Sequence, residues 1–156
     1  MDKETDFLIS NKPTRAVIAL FWALFAFFIL IIASMQATPL FLIFRYAGFI
    51  MPIIVVIFFL VSIAFLVLAI RQKLEKLFKR FLILTGASAV GIPVSILLHG
   101  AVFALFIKLF GENFWERTGI GDEPFFFILA VIVCPIAFLV GAIGSIVLFV
   151  KRRRLS

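Results

Sequence analysis

Four long apolar stretches, separated by short polar ones, organise this chain. They cover residues 16–36, 46–70, 81–101 and 125–150 in approximate bounds. Each is long enough, at ~1.5 Å of helical rise per residue, to cross a hydrocarbon core of ~30 Å. None shows the narrow apolar stripe of a helix lying on a soluble core; they are apolar all round. The pattern predicts an all-α, integral membrane four-helix bundle. It forms a single four-span domain over residues 16–150, with an N-tail at 1–15 and a basic C-tail at 151–156.

Two boundaries need comment. The stretch "PLFLIFR" (39–45) ahead of the second run is apolar apart from Arg45. Either the helix starts near Leu40 and Arg45 snorkels to the headgroups, or the segment lies along the interface. The third run continues from Phe81 to Phe110, more than one hydrocarbon thickness. Gly100 offers a break, which predicts a span ending near residue 101 and an amphipathic extension to about residue 116. In that extension Lys108, Glu112 and Glu116 recur at i+4 beside Phe103, Phe106, Phe110 and Phe114. The first run is too long for a signal peptide, its head carries three acids, and "SMQA" is a poor cleavage site, so it reads as a retained span.

Composition agrees with a bilayer as solvent. Apolar residues make up 65% of the 156, with 22 Phe, and charged residues 15%. Soluble domains lie near ~45–50% apolar. A net charge of +7 would ordinarily suggest nucleic acid, but the basic residues flank the apolar runs. That placement makes the bilayer, and anionic lipid headgroups at the cytoplasmic face, the expected partners, and no nucleic acid.

Twelve of the Lys and Arg residues fall in the N-tail, the 71–80 connector and the C-tail; Arg45, Lys108 and Arg117 fall on the other side. Four spans put those three basic segments together, so the positive-inside rule places both termini in the cytoplasm of a multi-pass cell-membrane protein. The connector "RQKLEKLFKR" also carries Leu74, Leu77, Phe78 and Phe81 on one helical face, and Glu75 and Lys79 at pairing distance. It reads as a surface resting on anionic lipid, with docking to an acidic partner as the sharper alternative.

Candidate chemistry is thin. No Asp, Glu, Lys or Arg lies well inside the four runs, which argues against pumps, proton-coupled transporters and voltage sensors. Cys134 is the single cysteine, so no internal disulfide forms and no CxxC pair serves thiol exchange. His99, the one histidine, stands ~27 Å along a helix from Phe81, near the outer interface. It is the weak functional candidate. The bland reading is an anchor or a helix-to-helix hydrogen bond; the sharper ones are catalysis, gating or metal ligation. No Ser–His–acid or Cys–His spacing accompanies it, since the nearest acids sit in the external loop. No catalytic residue, metal site or cofactor is expected.

Small residues are more informative. Ala87, Gly91, Ser95 and His99 recur every fourth position, and the last run has Ala130, Cys134, Ala137, Gly141 and Ser145. Small-xxx-small faces let helix backbones approach closely in lipid, so Ala87, Gly91, Ser95, Ala137, Gly141 and Ser145 are the expected packing residues of an antiparallel pair. Pro93 and Pro135 are the expected kinks, each withdrawing a donor from the carbonyl four residues back. Among the loop acids Glu112, Glu116, Asp122 and Glu123, the last two precede Pro124 and suit a helix N-terminus better than a cation site. Trp22 and Trp115 suit interfacial anchors. The "TGIG" turn has neither the lysine nor the spacing of a phosphate loop.

These features predict a non-enzymatic accessory or scaffold subunit. The alternatives are a channel or transporter subunit formed by oligomerisation, and a lipid-active membrane enzyme using His99. A second copy or another membrane protein is the expected protein partner.

Overall fold

The computed structural model describes residues 15–36, 50–119 and 123–155. The "PLFLIFR" stretch with Arg45, the N-tail up to residue 14, and Asp122 lie outside them. The described residues contain no strand. Their elements are α1 (Arg15–Gln36), α2 (Ile50–Arg71), α3 (Lys76–Phe110), the short α4 (Phe114–Arg117), α5 (Pro124–Ile128), a π-helical turn (Leu129–Val133) and α6 (Cys134–Leu155). Among the described residues, four segments are long and apolar enough to cross a membrane: Arg15–Ala33, Pro52–Arg71, Lys76–Phe110 and Pro124–Lys151. The chain therefore has the build of a small multi-pass membrane protein.

Helix α3 is the central element, packing against α6 on one side and α2 on the other, while α1 packs on α2. Aromatic rings join α1 to its neighbours. Phe21 meets Phe65 of α2 at 6.2 Å, and Phe28 stacks on Phe138 of α6 at 4.2 Å between centroids. The core is bulky where α1 and α2 contribute Leu24, Phe28, Phe58 and Phe65, and small where α3 and α6 contribute Ala89 and Ala142. The outside exposes Ile53, Leu60, Leu97 and Ile143 to the surroundings. An apolar exterior of this extent matches lipid, which demands that backbone polar groups be satisfied within the helices.

Hydroxyls obey the same demand. Ser62 donates to the Phe58 carbonyl at 2.6 Å, Thr85 to Phe81 at 2.9 Å and Ser88 to Leu84 at 2.6 Å, each one turn back along its own helix.

Helix α3 runs unbroken through Gly100. A mid-helix glycine costs only ~1 kcal/mol relative to alanine, less than leaving backbone groups unpaired in hydrocarbon. The helix stops at Phe110, where Gly111 adopts φ 91° and its N–H bonds the Ile107 carbonyl. Residues beyond form the separate turn of α4, which lies back on α3. Trp115 stacks on Phe103 at 5.8 Å and its indole N–H donates to the Phe103 carbonyl at 3.4 Å.

Lys79 closes the opposite end. Its ammonium donates to the Ile70 carbonyl at 2.6 Å and the Gln72 carbonyl at 3.1 Å, so it caps the C-terminus of α2. The two prolines are accommodated differently. Pro93 is buried inside α3, which remains helical across it. Pro135 follows the π turn, in which the Cys134 N–H reaches back to the Leu129 carbonyl. That widened turn covers Val131, whose carbonyl the proline ring would otherwise crowd.

Candidate functional site

Polar side chains concentrate at three levels of the α3–α6 half of the bundle. The middle level is the helix contact itself. A Cβ on Gly141 would stand 2.6 Å from Thr85 Oγ1, 2.7 Å from the Thr85 nitrogen and 3.0 Å from the Phe81 carbonyl. On Gly144 it would meet the Phe81 ring at 2.4 Å, and on Gly91 it would stand 2.9 Å from Cys134 Sγ. The opposite flank of α3 is also close-fitted: a Cβ on Gly86 would lie 3.1 Å from Leu66 Cβ in α2.

Of the small residues singled out from spacing, Ser95, Gly141 and Ser145 are buried, while Gly91 and Ala137 are half-buried. Ala87 is exposed. The buried face of α3 instead runs through Thr85, Ser88, Ala89 and Ser95. Neither Thr85 nor Ser88 was among the expected packing residues. Their signal was the i, i+3, i+4 spacing with Ala89, which follows one helix face more closely than an every-fourth series does.

The second level holds His99. Its Nδ1 lies 3.0 Å from the Glu123 backbone carbonyl and 3.3 Å from Glu123 Oε2. Both partners are acceptors, so the ring donates from Nδ1–H. Glu123 is 5% exposed and is the N-cap of α5. Its Oε1 accepts from the Phe125 N–H at 2.8 Å, and its Oε2 from the Phe126 N–H at 3.0 Å. Pro124 occupies the first helical position, where no N–H is required. The Phe127 ring lies 5.8 Å from the imidazole.

The capping expected of Glu123 is thus present. Its contact with His99, across 24 residues, was not anticipated: a loop acid becomes a neighbour only when the last span starts at the depth where α3 carries His99. A carboxylate holding Nδ1–H orients an imidazole as it would orient a general base. Here, however, the same carboxylate is occupied by two backbone donors. Among the described residues, no group of three or more His, Cys, Asp or Glu side chains could hold a metal ion.

The third level is a cleft of about 280 Å³ at the end of the bundle that carries the chain termini. Residues of α1, α3 and α6 line it, with Ser145 among them. Trp22 stands at its margin, half-exposed, while Trp115 is buried in the aromatic group at the other end of α3. Comparison with protein-family models, with curated proteins and with solved structures finds no match.

Proposed function

We propose that this chain is a non-enzymatic accessory or scaffold subunit of the cell membrane, crossing it four times with both termini in the cytoplasm. The observation that carries the reading is the His99–Glu123 pair. The one histidine and the one buried acid of the described residues are engaged in tying the start of the last span to the end of α3. Thr85, Ser88 and Ser95 lie on the buried, packed face of α3. The outer ridge of α2, Ile53, Val56, Leu60, Ile63, Val67 and Ile70, is exposed at alternating spacings of three and four. Such a ridge suits a helix of another membrane protein.

Reconstitution tests this reading. Liposomes holding the purified full-length chain are expected to show the same ion and solute leak as empty liposomes. Flux that disappears when Gly91 is replaced by leucine would establish the channel or transporter reading in its place.

The proposed orientation has its own test. In a Cys134→Ala background, a cysteine placed at Glu112 is expected to react with an impermeant maleimide on intact cells. A cysteine at Glu75 is expected to react only after permeabilisation. The reverse pattern overturns the orientation, since the basic connector would then lie outside.

A further inference from the structure

We infer that the cleft between α1, α3 and α6 is a binding site for one anionic phospholipid, with Ser145 as the hydroxyl that recognises its ester linkage. This goes beyond the accessory reading and does not depend on it.

Ser145 is the anomaly that points to a ligand. It is 2% exposed, and its hydroxyl has no hydrogen-bond partner among the described residues. Ser62, Thr85 and Ser88 all return their hydroxyl protons to the carbonyl one turn back, so the usual helical solution is available in this protein and is not adopted here. A buried polar group is normally satisfied. Ser145 instead lines a cleft whose other walls are apolar: Ile18, Phe21 and Trp22 of α1, Leu82 of α3 and Phe149 of α6.

The cleft is slightly smaller than the ~300–1,000 Å³ of pockets for whole small molecules, a size suited to the upper part of one acyl chain. With Trp22 47% exposed at its margin, it opens sideways, the direction from which a lipid arrives.

Depth and charge identify the class of lipid. Ser145 precedes Lys151 by six residues, ~9 Å along the helix. That is close to the ~5–8 Å thickness of the interfacial layer on each side of the hydrocarbon, which is where glycerol esters sit. An ester carbonyl is the acceptor that a serine hydroxyl lacks.

Above this level the end of the bundle is basic. Arg15 shares a helix face with Ile18 and Trp22 at i+3 and i+7. Lys76, Arg80 and Lys151 are exposed at the same end, and Glu75 is its one acid among the described residues. A headgroup of net negative charge complements this rim; a zwitterionic one does so less well.

Trp22 supplies the readout. In a Trp115→Phe variant it is the sole tryptophan, because the chain has two. This protein is reconstituted in phosphatidylcholine bilayers containing increasing fractions of phosphatidylglycerol with brominated acyl chains, which quench indole on contact. Brominated phosphatidylcholine serves as the parallel series. Phosphatidylglycerol is expected to reach half-quenching at about a fivefold lower mole fraction, the equivalent of one basic contact, and Arg15→Gln to remove most of that difference. Ether-linked phosphatidylglycerol, which lacks the carbonyl, is expected to bind about threefold more weakly than the ester form. Ser145→Ala is expected to abolish that ester–ether difference.

Ile18→Phe, which fills the cleft from a half-buried position, is expected to bring all curves together while helix content by circular dichroism stays unchanged. Native mass spectrometry of the unsubstituted chain gives an independent measurement, with one retained phosphatidylglycerol expected per chain. Coincident curves for the two headgroups overturn the proposal. So does a phosphatidylglycerol preference that survives Ile18→Phe, which would assign it to the basic surface at large. A concentration-dependent dimer that shields Trp22 from both lipids would put a second copy in the cleft and overturn it equally.

Discussion

Gly141→Ala is expected to separate α3 from α6 and to lower stability by about 3 kcal/mol, the upper part of the range for overpacking a tight interior. The added carbon would meet Thr85 at two atoms, one of them backbone, and the Phe81 carbonyl. Flexible side chains can move aside; a helix backbone cannot without displacing its whole helix. The companion variant is Gly100→Ala. Nothing lies within 4 Å of that Cβ position, so alanine there is expected to leave stability unchanged or raise it by up to ~1 kcal/mol through helix propensity. Thermal unfolding in a mild detergent, followed by circular dichroism, checks both. Equal midpoints for the two variants would show that α3 and α6 do not meet at Gly141.

Glu123→Ala carries the second large effect, about 2 kcal/mol of destabilisation. Loss of an N-cap alone costs ~1 kcal/mol. This residue also holds the imidazole, and its removal deprives a half-buried donor of its carboxylate partner. Glu123→Gln is expected to cost less, because the amide oxygen still accepts from the backbone while the other position presents donors. A double-mutant cycle with His99→Ala isolates the link, and a coupling energy of about 1 kcal/mol is expected. Strict additivity would mean that the two side chains act independently and that Glu123 is only a cap.

The architecture was legible from residue pattern because lipid imposes a simple rule: every run long enough to cross it must be apolar on all sides. The partnership of the third and last spans was also readable, since glycines at 91 and 141 have little other use inside an apolar helix. The face was less so. An every-fourth series drifts by ~40° per step on a helix of 3.6 residues per turn, so by Ala87 the line through Gly91 and Ser95 has swung out of the contact. Thr85 takes that place because its hydroxyl is bonded to Phe81 and it packs as a compact residue. The His99–Glu123 contact and the cleft belong to tertiary structure alone. One depends on two spans meeting at equal depth, and the other on the space left where three helices converge.

The π turn from Leu129 to Val133 brings the same drift back from the opposite direction. Ala130, Cys134, Phe138 and Ala142 are all buried although they too recur every fourth position. In a uniform α-helix their phase would wander by ~120° over that length. A turn closed by i→i+5 bonds takes more residues per revolution, so the step from Ala130 to Cys134 lags where the later steps lead. The wide turn thus acts as a phase corrector. It keeps the upper half of the last span aimed at α3 without supercoiling, and it sits just ahead of the proline, where one regular backbone bond is already forgone.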